Sequence, residues 1–401
     1  MWDKFSPGEM ARRWGRARRL MDHHDLVALL VFGNSGANRH NQANVFWLSN
    51  HLDLHHSYLL APRSESTEAS LYTGLLNHVP NARQVSDVPV VEWGGYDPIE
   101  TVAGRLRAVG LTRGRLGLVG VNAKFGMGMP YPHFQRLSSL LPDVQPVDVT
   151  AEYARLREVK SPEEIGWLRK AAEFTDRTIY ALRDQIRAGM PEFALPAIIE
   201  ASYRADGGLP HIAFLRTMPM DAPDGCVPAQ NPSHRKIERG DVILTEISAS
   251  YWGYTGQIHR PLFVGADPTP PWRRLFEAAR LAFGRLCLAI RPGACERDAV
   301  RAASVIGEMG YAIYDDLIHG YGVDIHPPLI DRSCSRYWPW DESRPGPEGR
   351  RFEADMAVVI QPNPITPDER SGLQLGALTI VAEEGAVPLQ AVPLEPVIIE
   401  G

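Results

Sequence analysis

The chain has 401 residues, 44% hydrophobic and 22% charged, an ordinary globular composition long enough for two domains with cores of their own. Its 42 Lys and Arg against 48 Asp and Glu give a net charge of −6, which leaves no basic footprint for nucleic acid or an anionic membrane surface.

No apolar run approaches the roughly 20 residues that span a bilayer. The N-terminal stretch is basic and lacks an apolar signal core. Four cysteines (Cys226, Cys287, Cys295, Cys334) form no C-x-x-C pair. A reduced, cytoplasmic protein is expected.

The first half alternates between helix and strand patterns. Met10–Met21 has a helical look. Buried-strand runs follow at Leu26–Phe32, Val45–Leu48, Ser57–Ala61 and Ser70–Tyr72. Then come a helix at Ile99–Val109, a strand at Leu116–Val121, a helix at Pro132–Leu141 and a strand at Val144–Val149. This order predicts an α/β layer domain over residues 1–153.

A second domain, 154–401, opens on a capping box: Ser161 at the N-cap, Pro162 at N1 and Glu164 at N3. Leu168, Ala171, Ala172 and Phe174 follow at helical spacing. Further helices are expected at Glu192–Ala205, Trp272–Ile290 and Glu296–Met309, with strands at Ala357–Ile360 and Leu378–Val381. The class is α+β.

Gly240–Gly265 reads as a hairpin. Val242, Ile243, Leu244 and Ile247 form an apolar run, Gly253 breaks it, and β-type residues resume at Ile258–Val264. Gly240, Asp241, Gly253, Tyr254 and Arg260 resemble the metal-binding hairpin of the creatinase/aminopeptidase P/methionine aminopeptidase family, the pita-bread enzymes. His319-Gly320-Tyr321-Gly322-Val323-Asp324-Ile325-His326 resembles that family's HGxGxxxHE motif, with Pro327 in place of Glu.

The resemblance covers roughly residues 5 to 395 and implies a smaller creatinase-like domain followed by a pita-bread catalytic domain. Family members hold two metal ions with five side chains. Position by position, these fall here on Glu246 and Gln257 (eleven apart), His319, Gln361 and Gly376. Only one carboxylate and one imidazole remain. Two adjacent divalent cations need bridging carboxylates to offset their repulsion. No metal and no cofactor are therefore expected. The histidine that metal-free creatinase uses upstream of the hairpin falls on Ala229, with His234 nearby.

What remains suggests acid/base chemistry. His319, His326 and Glu246 are the candidate catalytic residues, since imidazole titrates near neutrality. Gln257, His259, Gln361, Tyr254, Tyr321, His211 and Arg216 are candidates for substrate binding, with Arg216 suited to a carboxylate. The resemblance implies a homodimer, in which Asp53, His55 or His56 reaches a partner's site. The aromatic stretch Arg336–Asp341 suits a pocket rim or a dimer contact. The leading expectation is metal-independent hydrolysis of a C–N bond in a small polar metabolite. A lyase, cyclase or isomerase on the same fold, or a non-catalytic pseudopeptidase, stays open.

Overall fold

The computed structural model describes residues 3–34, 42–121 and 128–400. The chain divides into two compact units, Met1–Arg157 and Glu158–Gly401. Tyr153 belongs to the first, where its hydroxyl donates to Asn44 O at 2.9 Å.

The first unit contains strands β1 (Leu26–Gly33), β2 (Ser57–Pro62), β3 (Ser70–Thr73), β4 (Val90–Trp93), β5 (Gly114–Val119) and β6 (Val144–Asp148). Its helices are α1 (Pro7–His23), α2 (Ala43–Ser49), α3 (Val79–Val85), α4 (Pro98–Ala108), α5 (Tyr131–Leu140) and α6 (Thr150–Arg155). The strands form one mixed sheet in the order β4-β3-β2-β1-β5-β6. Leu29 and Val31 pack with Ala17 and Met21 of α1 on one face. Leu30 and Phe32 pack with Ile99, Val102 and Leu137 on the other. Burial on both faces explains why β1 is a continuous apolar run rather than an alternating one.

Val45–Leu48, expected as a strand, lies in α2. Every residue of that helix but Asn44 is buried, so it carries no polar stripe, and a short apolar run cannot distinguish the two states. Asp53 is also buried. Its carboxylate accepts from the backbone N–H of Leu54, His55 and Gly74 and faces His78 Nδ1 at 3.1 Å, an arrangement that fixes the turn it sits in.

The second unit holds α7 (Pro162–Gln185), α8 (Leu195–Arg204), α9 (Pro270–Ala289), α10 (Glu296–Ala302) and α11 (Val305–Glu308). Its strands are β7 (Leu209–Pro219), β8 (Asp241–Tyr251), β9 (Tyr254–His259), β10 (Leu262–Val264), β11 (Ala312–Ile313), β12 (Ile318–Gly320), β13 (His326–Ile330), β14 (Ala357–Ile360), β15 (Pro364–Ile365), β16 (Gly376–Ala382), β17 (Gly385–Pro388) and β18 (Val397–Ile399). The main sheet runs β13-β12-β14-β16-β9-β8-β10-β18, with β7 paired to β8. β7 was not expected as a strand. Its ladder lies along β8, with one further bridge from Leu215 to Ala229, and Pro210 and Pro219 are tolerated at the ends of such a strand. The single helix expected at Glu296–Met309 is two, α10 and α11, and the Ser304 hydroxyl between them donates to Glu308.

Period two sorts the strands. Ile243, Ile247 and Ala249 of β8 and Ile258 of β9 pack with Phe174, Ile179, Leu182 and Ile199 of α7 and α8. Helix and sheet approach so closely that a Cβ at Gly256 would lie 2.6 Å from the Ala171 backbone. The opposite face of β8 begins apolar, with Val242 and Leu244 against Trp272 and Leu275, and turns polar from Glu246. Trp338 and Trp340 pack against a hydrophobic core beside α10, and the Trp338 indole donates to Val300 O at 2.8 Å. The aromatic stretch is thus anchored to that core.

α7 starts as the sequence implies: Ser161 Oγ accepts from Glu164 N, and Glu164 accepts from Ser161 N at 2.8 Å. Replacing Ser161 by Ala will lower the stability of this unit by about 1 kcal/mol, and Ser161→Gly by only a few tenths. Denaturant midpoints of the two variants check this.

Candidate active site

Register sets one row of side chains across four strands. β8 and β9 pair Ile247 with Ile258 and Ser248 with Gln257, so the next step sets Glu246 opposite His259. His259 pairs with Gly376 of β16. Ile360 pairs with Ala377, which brings Gln361 beside Gly376. Neighbours across an antiparallel sheet share a face. Glu246, His259 and Gln361 therefore stand on one side, with a gap at Gly376.

Hydrogen bonds tie this row to β12. Gln257 Nε2 donates to Glu246 Oε1 at 3.0 Å and approaches His259 Nε2 at 3.4 Å. Gln257 Oε1 faces His319 Nε2 at 3.2 Å. His319 Nδ1 lies 3.0 Å from Asp316 Oδ1, which also accepts from Gln361 Nε2 at 2.7 Å. Asn363 accepts from the backbone N–H of Asp315 and donates to Asp316 O, and Gln374 Nε2 donates to Asp315 Oδ2 at 3.3 Å. Tyr321 donates to Ser248 Oγ at 3.3 Å and faces His211 Nδ1 at 3.4 Å.

Burial and crowding by like charge shift these groups. Burial, together with the Asp315 charge, pushes the half-buried Glu246 carboxyl up to about 8. Burial and then the Asp316 charge raise Asp315. Burial draws His319 down, but Asp316 and Glu246 outweigh it and leave it above its ordinary value. His259 is fully buried and pulled down to about 3, by burial first and then by His319 and Arg260, so it is neutral.

Three of the expected residues lie elsewhere, and their roles are corrected. Tyr254 stands on the helix side with Ile258, and its hydroxyl donates to Glu164 Oε1 at 2.6 Å. Arg216 donates to Val227 O and Asp224, tying down the segment after β7. His326 has Nδ1 on Pro327 O at 2.7 Å and Nε2 at 3.0 Å from Lys160 Nζ, so both nitrogens are engaged in holding the chain. His234 is exposed and edge-on to Phe193. Asp315, Asp316 and Ser248 belong to the cluster and were not anticipated. A carboxylate three residues ahead of His319 was the available signal.

The chain matches the model of metallopeptidase family M24 over residues 166–383, and that of the creatinase/prolidase N-terminal domain over 13–159. It belongs to family M24. It is 26% identical over 348 residues to an Xaa-Pro dipeptidase of Pyrococcus furiosus, spanning 86% of this chain and 89% of that one. It is 30% identical over 306 residues to a probable dipeptidase, PepE, of Mycobacterium tuberculosis, spanning 72% and 73%. The X-Pro aminopeptidase of Thermotoga maritima superposes with a TM-score of 0.77 at 21% identity, covering 96% of this chain and 99% of that one. The fold is the two-domain one, a creatinase-like unit followed by a pita-bread M24 unit.

The family's metals do not fit the side chains present. Gln257 and Gln361 are neutral, and Gly376 offers no donor. A Cβ at 376 would lie 2.7 Å from His259 Nδ1 and 2.7 Å from Ile360 O, so the imidazole fills the space a carboxylate there would need. Among the described residues no three His, Cys, Asp or Glu side chains are grouped to hold an ion. Gly376→Ala will destabilise the protein by about 1–3 kcal/mol, as overpacking does. Adding His259→Ala will recover only part of that, because Ile360 O is main chain. Thermal unfolding of the single and double variants reads both effects.

Proposed function

We propose that this M24 protein hydrolyses a C–N bond of a small polar metabolite without a metal, using Glu246 and His319 as its acid/base pair. The observation that carries this is the chain Glu246–Gln257–His319–Asp316, whose first three members fall where the resemblance puts metal ligands. We also place the protein in the cytoplasm, as a homodimer. The four free cysteines suit a reducing compartment, and among the described residues no helix is long and apolar enough to cross a membrane.

The Gln257 amide imposes a rule on protons. It presents one oxygen and one NH2 group to its neighbours. With the oxygen toward His319, the imidazole donates from both nitrogens and is charged, and Glu246 accepts as a carboxylate. With the amide turned over, Glu246 donates as the neutral acid and His319 Nε2 accepts. Each orientation accommodates one proton in the Glu246–His319 pair.

That protonation is competent for hydrolysis when water and substrate take the amide's place at His319 Nε2 and at Glu246. His319 Nε2 takes a proton from water as it attacks the carbon, and Asp316 opposite Nδ1 stabilises the imidazolium that forms. Glu246 gives its proton to the departing nitrogen. The products are the hydroxylated carbon and a free amine; the pair is left as imidazolium and carboxylate, and the proton returns from His319 to Glu246 through water before the next turnover. Desolvation keeps Glu246 protonated at neutral pH, which suits it as the acid. His211, Tyr321 and Ser248 supply neutral hydrogen bonds beside the pair.

The Xaa-Pro dipeptidase and the probable dipeptidase among the relatives support hydrolysis of an amide C–N bond as the reaction class. On an amide panel, the chelator-dialysed protein will retain its turnover, with oxygen from labelled water in the product. Elemental analysis will find well below one equivalent of Mn, Fe, Co or Zn per chain; two bridged equivalents would overturn the reading. Glu246→Gln will lower kcat by roughly 10²–10⁴-fold, the usual contribution of a general acid. Because Glu246 works protonated, wild-type activity will fall as pH rises through about 8. The residual activity of Glu246→Gln will lack that limb.

A further inference from the structure

We propose that the site grips its substrate by a cationic, hydrogen-bond-donating group, an ammonium, amidinium or guanidinium nitrogen, seated against Asp315, Asp316 and Glu246. The proposal rests on the reading above that this cluster receives a substrate, and adds its chemical class.

Unmet hydrogen bonding in the cluster favours donors. Gln361 Nε2 is committed to Asp316 Oδ1 and Asp316 O, and Gln374 Nε2 to Asp315 Oδ2. All three partners are acceptors, so neither amide can turn over without facing oxygen to oxygen. Gln361 Oε1 and Gln374 Oε1 are left without a partner, on side chains only 1% and 2% exposed. A buried acceptor without a donor costs roughly 1–3 kcal/mol. The third such atom, His259 Nδ1, lies beside Gly376 and takes either role as the Gln257 amide turns.

Charge points the same way. Glu246, Asp315 and Asp316 keep some solvent access, and the charged group set against them is the His319 imidazole. Cations on neighbouring strands and segments are spent on other partners. Arg216 is on Val227 O and Asp224. Arg260 is on the carbonyls of His259, Gly376, Val392 and Pro393. Lys160 is on His326 and Glu158 O. A substrate presenting a carboxylate here would meet the side chains of Asp315 and Asp316. One presenting N–H donors and a positive charge would offset the burial, and after it the like charge, that raise Glu246 and Asp315.

Three probes of one shape separate the charges: benzamidine, benzamide and benzoate. Calorimetric titration into the wild-type protein at neutral pH is expected to give benzamidinium an affinity at least about tenfold above benzoate, with benzamide between, a gap of about 1.4 kcal/mol. The benzamidinium affinity will fall as salt is raised. It will drop about tenfold in a folded Asp315→Asn variant, which leaves the proposed acid and base in place. Benzoate binding as tightly as benzamidinium, or an affinity indifferent to Asp315→Asn, would overturn the proposal. Binding is read without turnover, so the two ideas fail separately. Hydrolysis with no preference for the cation removes only the substrate class. Cation binding with no hydrolysis of any amide removes the proposed reaction.

Discussion

One amide governs this site. Gln257 stands between a carboxyl and an imidazole, each within about 3 Å of it, and it can satisfy both only if they differ in protonation. Where a metal pair would fix the charge of its ligands permanently, an amide links two titrating groups and lets a proton set the balance. The neighbours follow from that. Asp316 is held by Gln361 and faces His319, so the imidazole is supported when charged. His259 is buried deeply enough to stay neutral, so it does not compete for the proton. With few cations among the carboxylates, burial falls on Glu246 and shows as a raised pKa.

The scaffold tolerates this change because its stability and its chemistry lie on opposite faces of the same strands. Ile243, Ile247 and Ile258 bind the sheet to α7 and α8. Glu246, Gln257 and His259 alternate with them and face the other way. Exchanging a ligand for an amide leaves the helix side as it was. Arg260, 1% exposed, strengthens the frame: its guanidinium donates to carbonyls of β9, β16 and the segment at Val392–Pro393. Burial lowers it only to about 10, so it stays charged at neutral pH. It serves backbone geometry, which a metal-bound and a metal-free site would need alike.

That separation also decided what could be read from the residues alone. The hairpin, the capping box at Ser161 and most apolar strands were legible because each leaves a local signature of period or spacing. The row Glu246–His259–Gly376–Gln361 was only half legible, since strand register joins positions more than a hundred residues apart. Tyr254 was misplaced although period two already excluded it: it is an odd number of residues from Gln257 and must face the helices. Arg216 and His326 were misjudged for another reason. Arg216 is on the site's face of β7 by register, but its partners Val227 O and Asp224 come from a loop whose path no pattern reveals. Lys160, which meets His326, is distant in sequence. Asp315 and Asp316 carried a usable hint in their spacing to His319, but two adjacent aspartates usually mark a solvated turn.

Gly376 and His259 show how tightly the residues of this site depend on one another. A carboxylate side chain at 376 cannot coexist with the imidazole that now lies 2.7 Å from the place of its Cβ. Removing the imidazole alone would leave a buried void beside a bare glycine, with Gln257 short of one partner. Each step toward a metal ligand set is thus unfavourable until several others are in place, because the groups share one small volume and one hydrogen-bond network. The same coupling acts at Gln361: a carboxylate there would stand against Asp316 Oδ1, where the amide nitrogen now donates at 2.7 Å. It would add like charge to a cluster against which His319 is the charged group. The residues at these positions and their neighbours thus depend on one another.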